Sequence, residues 1–161
     1  MRVTQALSRN IQQQPDRIAT IFGDRRRTWR EHGERVQRLA GGLRSLGLKE
    51  NDRVGVIGLN SDYQLELFYA TPWAGGVIVP INHRWAAPEI AYALNDSETK
   101  ILFIDETFRE LADSLPALVD HELTIVSIDG EPPAGVQHTH ENLIAHNDPI
   151  AECERQSDDL S

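Results

Sequence analysis

The sequence predicts an α/β fold: an open, mostly parallel sheet flanked by helices, with a small antiparallel hairpin near the N-terminus. Three observations carry that prediction. Short apolar runs bounded by polar residues recur along the chain, as strands buried on both faces of a parallel sheet require. Amphipathic stretches of helical period separate them. One strand–helix–strand unit is complete within about 30 residues, the length of a βαβ crossover. Strands alternating with helices in this way place helices on both faces of one sheet.

Val3, Ala6, Leu7 and Ile11 share one helical face and predict a helix over 3–13, closed by Pro15. Residues 18–23 read as a strand, Asp24 and Arg25 as a turn, and 26–29 as the returning strand. Thr28 and Glu31 have capping-box spacing, and Val36, Leu39, Ala40, Leu43 and Leu46 form the apolar stripe of the helix that follows. Gly47 is placed to stop it. Gly41 and Gly42 inside that helix cost roughly 1 kcal/mol each against alanine, so a close backbone contact, expected with the sheet, must justify them.

The central unit runs from Arg53 to Asn82. Residues 53–58 form a buried strand, Asn60 or Ser61 caps a helix, and Asp62 suits the positive end of its dipole. Pro72 ends or kinks this helix, and 75–82 returns as a second strand. Pro88 opens a helix carrying Ile90, Ala91 and Leu94. Residues 100–105 are a strand, Thr107 caps a helix bearing Phe108, Leu111, Ala112 and Leu115, and 123–128 are a further strand. The regular pattern fails after Asp129. A loop follows, 140–146 has room for a helical turn or two, and 152–161 is polar and acidic. The chain divides at Asp129 into an α/β part, 1–129, and a loop with a polar tail, 130–161, and the pattern stops in mid-domain.

A net charge of −9 and a pI near 5.1 argue against nucleic acid and against an anionic membrane surface. No apolar run reaches the roughly 18–20 residues that span a bilayer, and Met1 to Leu7 lack an apolar signal core. One cysteine, Cys153, excludes an internal disulfide and fits a reducing compartment, read as the cytoplasm.

An ordered series of short motifs adds a family resemblance. Thr28-Trp29-Arg30-Glu31, Leu39-Ala40-Gly41-Gly42-Leu43, Leu46-Gly47-Leu48, Asp52-Arg53-Val54 and Asn60-Ser61 stand first. Ala74-Gly75, Val79-Pro80-Ile81-Asn82, Pro88-Glu89 and Leu94-Asn95-Asp96 continue them. The series resembles the start of an adenylate-forming enzyme, of the acyl-CoA synthetase, luciferase and peptide-synthetase group. The resemblance implies that 1–129 is the N-terminal subdomain of a large adenylation domain. It also implies that Asp158-Asp159-Leu160 leads to a Gly/Ser/Thr-rich phosphate loop beyond Ser161. The parent activity it implies is AMP-forming ligation of a carboxylic acid to CoA, with ATP, magnesium and CoA as cofactors. No catalytic, cofactor-binding or metal-binding residue carries over, because the matched positions are framework, and the chain by itself is expected to be inactive. Residues 80–84 and 87–89 look like those of enzymes for medium- or long-chain fatty acids, with an aryl acid as the alternative.

The residues themselves offer four candidate sites, each with a plainer reading. Gly55 and Gly58 near a strand end invite a dinucleotide loop, but the G-x-G-x-x-G fingerprint is absent and close packing explains them. His138, His140 and His146 match no zinc spacing and read as solvated loop histidines, and Cys153 has no second thiol. Asn82, Arg84 and Trp85 follow a strand's carboxyl end, where open sheets bind ligands, and an arginine beside an aromatic can hold a phosphate or stack on a base. The plainer reading is an Asn turn, a surface arginine and a packed tryptophan. Arg25, Arg26 and Arg27 read as a solvated hairpin turn rather than an anion patch, and Asp129 and Glu131 show no paired geometry. Two other classes stay open: a non-catalytic binding or assembly module that self-associates through an uncovered apolar face, and a small nucleotide-binding domain acting alone.

Overall fold

The computed structural model describes residues 3–154. Its centre is strand β3 (Arg53–Ile57), which pairs in parallel with β4 (Val77–Pro80) on one side and β5 (Ile101–Ile104) on the other. Beyond β5 lie β6 (Thr124–Ser127) and β7 (His138–Thr139), giving a five-stranded parallel sheet of order β4-β3-β5-β6-β7. Its apolar runs split by the strand period of two. Val54, Val56, Ile101 and Phe103 point into one core, and Ile57, Leu102 and Ile104 into the other. Helices α1 (Gln5–Gln13), α2 (Trp29–Ser45), α3 (Asp62–Trp73) and α6 (His140–Ala145) close the first face. Helix α4 (Ala87–Asp96) and the short α5 (Leu111–Ser114) close the second.

Local chemistry explains most boundaries. Thr28 and Glu31 form the full capping box of α2, with the Thr28 N–H donating to Glu31 Oε2 at 2.7 Å. Ser61 accepts the Gln64 N–H at 3.2 Å at the start of α3. Pro72 lies in the last turn of α3, which ends one residue later. Gly47 ends α2 in the left-handed region at φ 91°, and Asn51 takes φ 63° in the turn that follows. Gly55 faces the second core, where an added Cβ would stand 2.8 Å from Leu102 Cδ1.

Four expectations need correction. The hairpin of β1 (Ile18–Phe22) and β2 (Arg25–Thr28) turns at Gly23 and Asp24, because Arg25 already pairs with Phe22. The helix expected after Thr107 is broken into a 3₁₀ turn (Glu106–Phe108), α5 and a second 3₁₀ turn (Leu115–Ala117). Its cap is Asp105, which accepts the Thr107 N–H at 2.9 Å, and Pro116 removes a donor where a longer helix would need one. Gly41 and Gly42 touch α6 and the chain after it, not the sheet. A Cβ on Gly41 would collide with the Asp148 carbonyl, and one on Gly42 would stand 2.8 Å from Leu143 Cβ. The stretch from 130 is more than a loop: after 130–137 the chain re-enters the sheet as β7, while the helical turns expected over 140–146 stand as α6, packed on α2. The Asp158-Asp159-Leu160 segment lies outside the described residues.

Candidate functional site

Ligands of open α/β sheets bind beyond the carboxyl ends of the strands. Here that edge is built from the turns after β3, β4, β5 and β6. Asp105 organises it. Its buried carboxylate accepts the Leu59 N–H at 2.6 Å and the Thr107 N–H at 2.9 Å. Gly58 lets the two turns meet, since a Cβ there would stand 2.7 Å from Asp105 Oδ2. Close packing thus accounts for Gly58 as well as Gly55. Asn82 Oδ1 accepts the Arg84 N–H at 3.0 Å, an ordinary Asx turn. Arg84 is exposed, and Trp85 is 42% exposed rather than packed. Asp129 accepts the Glu106 N–H at 2.9 Å, and Glu131 is exposed.

This edge is a poor phosphate cradle as it stands. Cradling takes several free amides pointing at one spot. The Leu59 amide is taken by Asp105 and the Gln64 amide by Ser61. Among the described residues no group of three or more His, Cys, Asp or Glu side chains is placed to hold a metal ion. Two cavities, of about 540 and 290 Å³, lie elsewhere. The larger is lined by α5, the start of β6 and residues 134–138, and the smaller by the amino ends of β3, β5 and β6.

The dense chemistry lies beside the edge, in a buried ion network. In β2, alternation puts Arg25 and Arg27 on one face and Arg26 on the other. In α3, Asp62 and Glu66 stand one turn apart on one face. Arg25 grips Asp62 with Nε at 3.0 Å and Nη2 at 2.6 Å, and Arg27 pairs with the same carboxylate. Arg35 of α2 grips Glu66 at 2.6 and 3.0 Å and reaches Glu141 of α6 at 2.5 Å. His140 Nε2 meets Glu66 Oε2 at 2.8 Å. The Tyr63 ring lies under the three guanidinium groups, closest to Arg25 at 4.4 Å.

Two expectations fail here. Of the three hairpin arginines only Arg26 is simply solvated; Arg27 is largely covered and Arg25 is tied down. His140 is wholly buried, while His138 is half-buried and His146 exposed, so the three histidines do not converge. Sequence reading missed Asp62, Glu66, Arg35 and Glu141 as partners. The available signals were the i, i+2 arginines of a strand and the i, i+4 acids of a helix.

Burial alone would raise the Asp62 carboxyl, but Arg25 and Arg27 overturn that and hold it down at about 2. Burial opposes ionisation of Glu66 too, and His140 with Arg35 wins, keeping it below the usual range. Carboxylates held so low are weak bases, so the network is a clamp and not a general acid–base pair. It binds the hairpin, α2, α3 and α6 into one body. Burial also lowers His32, whose two ring nitrogens have no hydrogen-bond partner among the described residues.

The sign of the acid response follows. Asp62 is depressed from 3.8, so its contribution is whole above about pH 4 and is lost as pH falls toward 2. Allowing for screening at half-exposed Arg25, about 1–2 kcal/mol disappears in that window. His32 acts in the same direction, its stability present above 6.5 and lost below it as the buried ring must charge. Thermal melts from pH 7 to 3 should fall in two stages. Glu66 and Glu141, depressed from 4.5, lose stability in the same direction, so Asp62→Asn should flatten the lower stage in part, and an unchanged slope would contradict this assignment.

The chain is similar to known proteins. A family model described as AMP-binding enzyme matches residues 7–160. A long-chain-fatty-acid–CoA ligase of Thermus thermophilus is 33% identical over 152 residues, 87% of this chain and 28% of its own length. A peroxisomal benzoate–CoA ligase of Arabidopsis thaliana is 42% identical over 98 residues, 61% of this chain and 17% of its own length. The crystal structure of an anthranilate CoA ligase in complex with anthranoyl-AMP superposes with a TM-score of 0.89 at 23% identity, covering 97% of this chain and 30% of that one. At that identity the likeness is one of fold. The chain spans less than a third of the length of each of these three.

Proposed function

The chain belongs to the AMP-binding enzyme family, and from that membership we propose that it is the N-terminal part of an AMP-forming acyl-CoA synthetase. The observation that carries this reading is the family match across nearly the whole chain together with relatives that are CoA ligases. In this reading a carboxylate attacks the α-phosphate of ATP, pyrophosphate leaves, and the thiol of CoA then displaces AMP from the acyl-adenylate. The phosphates need charge neutralisation by amides, lysine and magnesium. In this reading ATP, magnesium and CoA are assigned to the rest of the parent protein. The part played by 1–161 is structural: it supplies one sheet, with β7 and α6 as part of it, and one wall of the adenylation domain, and the stretch after α6 is the approach to the phosphate loop.

The preferred substrate is a medium- or long-chain fatty acid, with an aryl acid as the alternative; the named relatives include one of each kind. Among the described residues no helix is long and apolar enough to cross a membrane. The single Cys153 favours a reducing compartment, which we read as the cytoplasm. By itself the chain leaves β4 and the first half of β6 as open strand edges, so self-association at high concentration is expected.

The test is AMP release with Mg-ATP, CoA and a panel of fatty and aryl acids. The 161-residue chain should release none. The product of a longer reading frame, continuing through a Gly/Thr-rich loop, should release AMP with at least one acid. A longer product that stays inert across the panel would leave the stand-alone module as the better reading.

A further inference from the structure

After α6 the chain runs as a strap across the first face of the sheet. It passes over α2, where the Ile150 N–H donates to the Gln37 carbonyl at 3.3 Å and the Asp148 carbonyl lies against Gly41. It then reaches the end of α3. There the Trp73 indole donates to the Ile150 carbonyl at 2.9 Å, and the Cys153 N–H donates to the Trp73 carbonyl at 2.9 Å. Cys153 comes to rest beside Gly75, where an added Cβ would stand 3.0 Å from its Sγ. Gly75 is two residues before β4. The strap has therefore carried the chain from β7, at one end of the sheet, to the amino end of β4 at the other.

The direction of that crossing fits the hand of the fold. β3 connects to β4 through α3 on the first face and steps one way along the sheet. β4 connects to β5 through α4, and β5 to β6 through α5, both on the second face, and these step the other way. One hand thus runs through all three crossovers, as parallel connections require. A crossover that leaves β7 over the first face keeps that hand only if its next strand lies on the β4 side. There β4 has an open edge among the described residues. The Val77 and Ile81 N–H groups donate inward to the Asp52 and Val56 carbonyls, so by alternation the Ile78 N–H and the Ile78 and Pro80 carbonyls point outward. Pro80 lacks a donor, which removes one bond at the last residue of the strand and leaves the others. Residues 155–161 hold one apolar side chain, Leu160, whereas a strand buried in a parallel sheet is an apolar run, so they suit a connection rather than the strand. Seven residues reach at most about 23 Å, enough to round the end of β4.

We propose that the open edge of β4 is the docking surface for the next strand of the parent chain, which follows residues 155–161 and pairs with β4 in parallel. A strand that enters at the Gly75 end and runs parallel to β4 finishes at the carboxyl edge of the sheet, beside Asn82. The turn after it then stands where open sheets bind ligands. The proposal rests on the chain being part of a longer protein, as the proposed function has it, and does not need the ligase chemistry.

The test is residue-resolved hydrogen exchange, comparing the dilute 161-residue chain with the product of the longer reading frame. The inward Val79 N–H should be protected in both, which shows that the sheet is folded. The outward Ile78 N–H should exchange freely in the 161-residue chain and at least about 100-fold more slowly in the longer product. Free exchange of Ile78 in both proteins would overturn the proposal. So would protection already present in the dilute 161-residue chain, which would mean that another segment covers the edge. Protection in the longer product that rises with its concentration would overturn it too, making a second copy the occupant. AMP release reports separately on the ligase reading. A longer product that releases AMP with Ile78 unprotected sinks only the strand placement, and an inert one with Ile78 protected sinks only the ligase chemistry.

Discussion

Replacing Glu66 with alanine is expected to destabilise the protein by about 3–5 kcal/mol. Glu66 is wholly buried on α3, and three groups depend on it. Arg35 grips both of its oxygens, His140 meets it at 2.8 Å, and Arg27 lies 3.7 Å away. The intact network is not a large net source of stability, because desolvation consumes most of what attraction returns. Removing its one wholly buried acid is different. Arg35 and Arg27 stay behind in the protein, and His140 loses the only hydrogen bond its ring makes among the described residues. Urea unfolding measures the loss directly. A double-mutant cycle with His140→Ala isolates the shared part and should show a coupling of about 1 kcal/mol or more. A loss below about 1 kcal/mol for Glu66→Ala would mean that the network is solvated and the clamp is not real.

Phe103→Ala should cost a similar amount, about 3–5 kcal/mol. Phe103 lies in β5 next to central β3, is wholly buried in the first core, and meets His140 in a T-shaped contact at 6.0 Å between centroids. Deleting the ring loses apolar burial and leaves a cavity between the sheet and the ion network, where packing can collapse least. Phe103→Leu keeps most of the volume and should cost less than about 1.5 kcal/mol. Equal losses for the two variants would show that the site is loosely packed.

The contrast between what sequence made legible and what it did not is physical. Thr28 with Glu31, and the Val36–Leu39–Leu43 stripe, act within a few residues of themselves. So does the βαβ run from Arg53 to Pro80, and all of these appear as expected. The ion network does not work that way. Arg25 is 37 residues from Asp62, and Arg35 is 106 residues from Glu141. Each half shows a local pattern, but which arginine meets which acid is decided by how the hairpin and α6 pack on α2 and α3. The reason for Gly41 and Gly42 was equally remote, lying with Leu143 and Asp148. Strand β7 has two residues, too few to show a period, so the return of the chain into the sheet left no signal. Asp105, whose carboxylate ties the turns at the carboxyl edge together, was read only as the end of a strand.

Whether the parent protein is an adenylate-forming ligase is open to one measurement that needs neither CoA nor the correct thiol. It is carboxylate-dependent exchange of labelled pyrophosphate into ATP by the product of the complete reading frame. The account predicts exchange that requires magnesium and one acid of the fatty or aryl panel, and none from the 161-residue chain under the same conditions. Exchange by this chain alone would contradict the structural role assigned to it, and no exchange by the complete product with any acid would contradict the ligase assignment itself.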